Sequence, residues 1–431
     1  MTAATVTDAG GMAASPPRPL RIAYLMSRFP KATETFIVFE ILELERLGHH
    51  VSIHPLVVER RELLHPGTEH LIDAVQPFRP RSRPTVAAQF YWLRRRPRAY
   101  LGAWWAAIRG NLGSPKFLVR ALAVVPYGAV VARRAVEQDV DHIHAHWATH
   151  PALGALVAGR LSGRPYSFTA HAHDIFVERS MLREKMAESA FTVTISDYNR
   201  RFLRDLYGTI VDDRVTVIHC GADPSVFAPP TPVEEGAADA RRGPTRLVVV
   251  ASLQPQKGHL VLVDAIGRLI ARGVEVEARL LGEGAERPSI EARVRALGLD
   301  DAVQLLGSVP RDRVAREVAA ADIVVQPSIV LASGKTEGIP VALMEALAAE
   351  RAVIASAVSG IPELVRDGQT GVLVEPGDAD ALAAAIERLA ADPALRRGLG
   401  AAGRALVLAE FNLRVNAAQL ASRIEAAHVR G

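Results

Sequence analysis

The chain has one cysteine, Cys220, in 431 residues. That excludes an intramolecular disulfide and any metal site built from cysteine alone, and it fits a reducing compartment. No apolar run reaches the roughly 18–20 residues of a membrane span. The longest candidate, Ala121 to Ala132, is too short and carries Pro126. No GxGxxG follows the first expected strand, which argues against a dinucleotide cofactor there. Neither Asp-x-Asp pair has the setting of a metal site: Asp139-Val140-Asp141 enters a strand and Asp378-Ala379-Asp380 starts a helix. Residues 1–18 lack a basic stretch followed by an apolar core, so they read as a disordered leader and not a signal peptide.

Acids are missing from one long segment. Ala74 to Val136 holds twelve Lys/Arg and no Asp or Glu, so with a net charge of +4 the rest of the chain carries +4 − 12 = −8. The segment also has Trp92, Trp104 and Trp105, three of the four tryptophans. Cations beside aromatic rings suit an anionic membrane surface, through 79–134. An ordinary solvated helix pair explains the pattern equally well. Nucleic acid would be drawn to the charge too, but no binding motif accompanies it, and none is expected as a partner.

What is present is apolar residue, 49% of the chain, enough to bury two cores, and so two domains are expected. Leu20 to Met26 reads as a buried parallel strand, Ser27 to Thr35 as a loop, Phe36 to Leu47 as a helix and Val51 to Val57 as the next strand. This is a βαβ unit whose first loop lies at the carboxyl end of a strand, where open α/β sheets bind ligands. An N-cap by Thr33 or Thr35 fits the same loop.

Six of the fourteen histidines lie between His142 and His173. His142, His144 and His146 share one face of a strand. His144, His146 and His171 are expected at strand ends facing the cleft. Histidine with aspartate can ligate zinc, but no closed ligand set at familiar spacing occurs, and no metal is expected. The second half repeats the alternation of strand and helix, with Gly282-Glu283-Gly284 as a tight turn after a strand.

The most informative stretch is Ser333 to Glu345, SGKTEGIPVALME. A loop with Gly334 and Gly338 runs through Pro340 into a helix whose Ala342, Glu345, Ala346 and Ala349 line one small-residue face. Such a helix offers an anion its first N–H groups and the positive end of its dipole. Glu337 and Glu345 are expected roughly 12 Å apart, about the span from a sugar past a diphosphate to a ribose. A capped helix with two solvated glutamates is the plainer alternative.

TEGIPVALMEALA resembles the donor-site signature of the retaining, two-Rossmann-domain (GT-B) glycosyltransferases of family 4. Other segments resemble it as well: SRFPKATETFI is similar to the opening loop of the colanic-acid and exopolysaccharide members, VIHCGADPSVF to the exit from their first domain, and SGIPE to a later turn. The resemblance implies an α/β fold of two doubly wound domains facing across a cleft. It implies an acceptor domain over 19–228 with a basic insert at 74–136, a linker at 229–245, a nucleotide-sugar domain over 246–411 and a helix at 412–431 crossing back.

It further implies that Glu337 orients the donor sugar, Glu345 holds the ribose, and Lys257 with the N–H groups of Gly338 and Ile339 holds the diphosphate. Gly282 lies in the donor turn and Pro340 opens the helix. Arg28, Phe29, Glu34, Thr35, His144, His146 and His171 fall on the acceptor side, His171 nearest the transferred sugar. Family members commonly carry Arg where this chain has Ser252; Lys335 is placed to compensate. The implied reaction is metal-independent transfer from a nucleotide-diphosphate sugar, as co-substrate and with no further cofactor, to a glycan or polyprenyl-linked acceptor. The expected setting is the cytoplasm, at the inner face of the membrane. A nucleotide-sugar epimerase or phosphorylase, or a non-catalytic scaffold, is the alternative on this fold.

Overall fold

The computed structural model describes residues 18–31, 34–59, 67–229 and 243–430. Residues 1–17 of the leader, Thr33 and most of the 229–245 linker lie outside the described residues.

Two six-stranded parallel sheets carry the chain. The first has order β2-β1-β3-β4-β5-β6, with β1 Arg21–Phe29, β2 His50–Val58, β3 His142–His146, β4 Tyr166–Ala170, β5 Phe191–Thr194 and β6 Val215–Val217. The second has order β12-β11-β10-β7-β8-β9, with β7 Thr245–Val250, β8 Val276–Leu281, β9 Val303–Gly307, β10 Ile323–Gln326, β11 Ala352–Ser356 and β12 Val372–Val374. Each sheet reverses direction once, beside β1 and beside β7, and helices cover both faces. Such sheets gather ligand-binding loops at the carboxyl ends of strands flanking the reversal.

Most strands are short, largely buried runs rich in Val, Ile, Leu and Ala, whereas β3, β4 and β5 also bury His, Ser and Thr side chains. β1 is longer than its apolar run implies and continues through Ser27, Arg28 and Phe29. Its backbone pairs with β2 as far as Phe29↔Val58, and the Phe29 ring enters the core with Tyr24 and Ile37. Pairing, not hydrophobic pattern, sets where this strand stops.

The basic segment is only partly an insert. Helices Arg83–Arg95 and Pro97–Arg109 lie on the outside, whereas helix Pro115–Glu137 is the crossover that returns the chain from β2 to β3. That helix is long and apolar enough to cross a membrane by length and composition, contrary to the reading of its sequence, and half of its most apolar window is buried in the protein. It packs against helix His150–Ser162 where Gly128 meets Val157 and Gly154 meets Tyr127. A Cβ on Gly128 would stand 2.8 Å from the Gly154 carbonyl, so the two backbones approach as only glycine allows. Tyr127 Oη donates to the His54 carbonyl at 2.6 Å and ties this helix pair to β2.

The chain crosses between the sheets twice. After β6 it leaves through Gly221 and Ala222, and it returns at Phe411–Asn412, where Ala222 and Asn412 pair as a β-bridge. Helix Leu413–Arg430 then lies on the first domain, with Leu420, Ala421 and Ile424 in the core beneath helix Thr35–Arg46.

Candidate active site

The donor half is built on close backbone approaches. Gly258 has φ +70°, and a Cβ there would stand 1.8 Å from the Pro327 carbonyl oxygen; Gly282 has φ +146°, and its Cβ would stand 1.9 Å from that of Ala251. Only glycine fits either position. These contacts fold the Ser252–Lys257 loop onto the turn after β8 and against the end of β10.

Lys257 Nζ then sits 2.7 Å from Glu337 Oε2, with both side chains largely covered. Ser359 Oγ donates to the carbonyls of Glu337 and Gly338, fixing the loop that carries the glutamate. Pro340 stands at the N-cap of helix Val341–Ala348, one residue before the first turn. Lys335 has no ion pair among the described residues, while Ser252, in the loop after β7, packs against Gly282 in the turn after β8.

Glu345 is half-buried on the small face of that helix. Loss of water pushes its carboxyl up to about 7, and the Arg311 guanidinium opposes the shift. Arg311 was not singled out from sequence. It stacks 3.8 Å from the centre of Phe39 on the first domain and 5.3 Å from Phe227, so it spans the cleft.

The two halves touch at Gly338. A Cβ added there would lie 2.8 Å from Ile195 Cδ1 and 3.8 Å from Ala172 Cβ, so the donor loop abuts the residue after His171. Glu363 reaches across to accept from the N–H groups of Asp197 (2.9 Å) and Tyr198 (2.6 Å), the first residues of a first-domain helix. An acid at a helix N-terminus meets orphan donors and the dipole's positive end.

In the first domain a recess is lined by Phe36, Glu40, His146, Thr169, His171, Ile195 and Cys220, among others. Of the residues expected on the acceptor side, some line this recess and others do not. His146 and His171 are on this wall. His144 is not: it is sealed beneath, with Nδ1 2.8 Å from Ser167 Oγ and Nε2 3.1 Å from Thr169 Oγ1. Arg28 pairs with Glu59, Phe29 is core, and Glu34 pairs with Lys31. Thr35 is the first helical residue and provides no cap, since Glu34 occupies the cap position without a side-chain bond. None of these four lines the recess. The helix they introduce contributes Phe36 and Glu40 in their place. These two are four residues apart and share a face, a signal that the sequence held.

Glu40, His144 and His146 lie close enough to share a metal ion. Their facing atoms are hydrogen-bonded instead: Glu40 Oε1 to His146 Nε2 at 2.8 Å, and His144 Nε2 to Thr169. Both Asp-x-Asp pairs have structural work. Asp141 accepts from Arg18 and the Arg21 N–H, Asp139 pairs with Arg164, and Asp378 caps helix Ala379–Ala391. Burial pushes the Cys220 thiol up to about 12, so it stays protonated.

Residues 33–226 match the profile of glycosyltransferase family 4, and residues 234–406 that of the group 1 glycosyl transferases. The amylovoran biosynthesis glycosyltransferase AmsK of Erwinia amylovora is 36% identical over 213 residues, 49% of this chain and 51% of that protein. The putative colanic acid biosynthesis glycosyltransferase WcaL of Salmonella typhimurium is 26% identical over 94% of this chain and all of its own length. The D-inositol 3-phosphate glycosyltransferase of Kribbella flavida is 30% identical over 64% of this chain and 69% of that protein. Among solved structures, Anabaena Alr3699/HepE in complex with UDP-glucose superimposes with a TM-score of 0.69 at 18% identity, covering 94% of this chain and all of that one. The chain belongs to the group 1, family 4 glycosyltransferases and has their two-domain GT-B architecture.

Proposed function

We propose that this protein transfers a sugar, with retention and without a metal ion, from a nucleotide-diphosphate sugar to a glycan or lipid-linked acceptor in the assembly of a cell-surface polysaccharide. The observation that carries the reading is the Lys257–Glu337 pair at 2.7 Å, set on a glycine-built floor and abutting the His171 loop. The names of AmsK and WcaL support the polysaccharide, and the HepE complex supports a UDP-type donor.

In this reading the diphosphate takes Lys257 and the free N–H groups before helix Val341–Ala348, and Glu337 is released to the sugar hydroxyls. Glu345 accepts from the ribose. The bond from the anomeric carbon to phosphate breaks as the bond to the acceptor oxygen forms on the same face. The leaving diphosphate receives the acceptor's proton. The protein contributes charge stabilisation and position, which suits preorganised donors in a covered site. Lys335 stands in for half of the clamp that Ser252 lacks.

The acceptor side carries a proposed lipid contact. Phe90, Leu101, Leu112 and Val119 are exposed, as is Trp105 at 65%, among exposed Arg94, Arg95, Arg96 and Arg98. Trp92 does not belong to this surface: it is core, with Nε1 donating to the Ala129 carbonyl at 2.9 Å. Trp104 is partly buried against the same core.

The test is a donor screen with UDP-, GDP- and ADP-sugars, read by calorimetry and nucleotide release. One donor should bind and turn over slowly without added acceptor, and Glu337→Ala should abolish turnover. Lys257→Ala should weaken binding by about 10- to 100-fold, as loss of a charge-assisted contact does. Absence of binding to every donor would leave the scaffold reading. Conversion of the sugar without nucleotide release would favour an epimerase.

A further inference from the structure

Three side chains form a line along the recess wall, from half-buried Glu40 through buried His146 to buried His171. Glu40 Oε1 lies 2.8 Å from His146 Nε2, and His146 Nδ1 lies 3.2 Å from His171 Nε2. We propose that Glu40 and His146 are positioning residues that hold His171 in a single tautomer, with its proton on Nε2, so that Nδ1 accepts a hydrogen bond from a sugar hydroxyl at the reaction centre. This rests on the transferase reading above.

The tautomers follow from what each group is able to do. An ionised carboxylate only accepts. Glu40 Oε1 takes one hydrogen bond from the Tyr24 hydroxyl at 2.7 Å and one from His146, so the His146 proton is on Nε2. His146 Nδ1 is therefore bare and needs a donor. The atom opposite is His171 Nε2, which must carry the hydrogen. His171 Nδ1 is left with its lone pair and has no partner among the described residues. A histidine's free nitrogen is set by the bond its other nitrogen makes, and here that bond is set in turn by a carboxylate two rings away.

The ring has little freedom to choose otherwise. It packs against Trp147, with centres 4.5 Å apart, and against Phe36 at 4.9 Å. Its backbone N–H donates to Asp174 at 3.0 Å, and its carbonyl accepts from the Asn199 amide. His144 stays outside the line, because Ser167 and Thr169 occupy both its nitrogens.

The groups facing the line are Glu40, Tyr24, His144, His146 and the protonated Cys220. Burial first, and the neighbouring His146 second, lower His171 well below 6.5. The ring is thus neutral at working pH, and a neutral ring has a tautomer to be chosen.

The experiment is long-range ¹H–¹⁵N correlation on protein labelled with ¹⁵N-histidine, with His171→Gln to assign the signal. The wild type should show His171 protonated on Nε2, unchanged from pH 6 to 8. Glu40→Gln and His146→Gln should each convert it to a mixture or to the other form. A proton on Nδ1 in the wild type, or the same tautomer in both variants, overturns the proposal. So does stoichiometric zinc in the purified protein, because a metal on Glu40 and His146 displaces the hydrogen bond.

This spectrum needs no turnover, so it decides the point even if the donor screen finds no transferase. Where a donor is turned over, Glu40→Gln should lower kcat about tenfold or more with KM within about threefold. Equal loss in both constants, with a collapsed melting transition, would mean a structural role only. The melting curve of His146→Gln provides a second check on that outcome.

Discussion

Glu345 holds a proton that a surface glutamate would release. Its carboxyl is raised from 4.5 to about 7 by burial, against the pull of Arg311. In the folded state it therefore keeps a proton that the unfolded chain loses. The associated stability is present below pH ~4.5 and is lost as the pH rises through ~7, on the order of 1–3 kcal/mol. Thermal melts should show wild type losing stability from pH 5 to 8 relative to Glu345→Gln. Donor binding should run the other way. A ribose hydroxyl donates to the ionised form, so calorimetric affinity should rise from pH 6 to 8 in the wild type and stay flat in Glu345→Gln. Glu337 and Glu345 stood out in the sequence because one loop and the helix it enters contain both. Arg311 did not, because its importance comes from Phe39 in another domain; the helical spacing of Phe36 and Glu40 marked a shared face, but the partners of Glu40, His146 and Tyr24, lie in other elements.

At the scale of elements, the donor floor depends on backbone clearance. Gly258→Ala would force a Cβ into the Pro327 carbonyl, at a φ that side chains avoid. We expect a loss of about 2–4 kcal/mol, seen as a lowered melting transition. Lys257, its neighbour, would be displaced, and donor affinity should fall even at temperatures where the variant is folded. The paired helices Arg83–Arg95 and Pro97–Arg109 carry a second prediction. Co-sedimentation with phosphatidylglycerol vesicles should exceed that with phosphatidylcholine and weaken with salt, since each exposed cation near an anionic surface adds about 1 kcal/mol. Trp105→Glu together with Arg95→Glu should remove it without affecting the melting curve.

Sequence pattern located these helices but not the boundary of the insert. Helix Pro115–Glu137 is rich in Arg, Ala and Val like its neighbours, and only the strand order reveals it as the crossover between β2 and β3. The end of β1 was missed for a related reason. Ser27 and Arg28 look like loop residues, but β2 pairs with them, and pairing is a non-local fact.

For the whole molecule, the question is how firmly the two domains face each other. Glu363 on the helix beginning at Asp197, and Arg311 on Phe39, are the polar and aromatic ties across the cleft. Glu363→Ala removes two charge-assisted bonds to backbone N–H groups. We expect a larger radius of gyration in solution scattering for the free protein, with the wild-type value restored by saturating donor. Turnover should fall more than donor affinity, because the donor contacts lie within one domain and the reaction needs both.

The β-bridge between Ala222 and Asn412 gives these motions a shape. Both strands of chain that join the domains pass through one point, and a Cβ on Gly221 would lie 2.4 Å from the Leu413 nitrogen. Two crossings laid side by side act as a door hinge, whereas a single one would act as a string. We expect the leaf to swing about that line more readily than it slides along it or unscrews. Closure would then return Gly338 to the same spot beside Ala172, with the register between donor and acceptor inherited from the hinge.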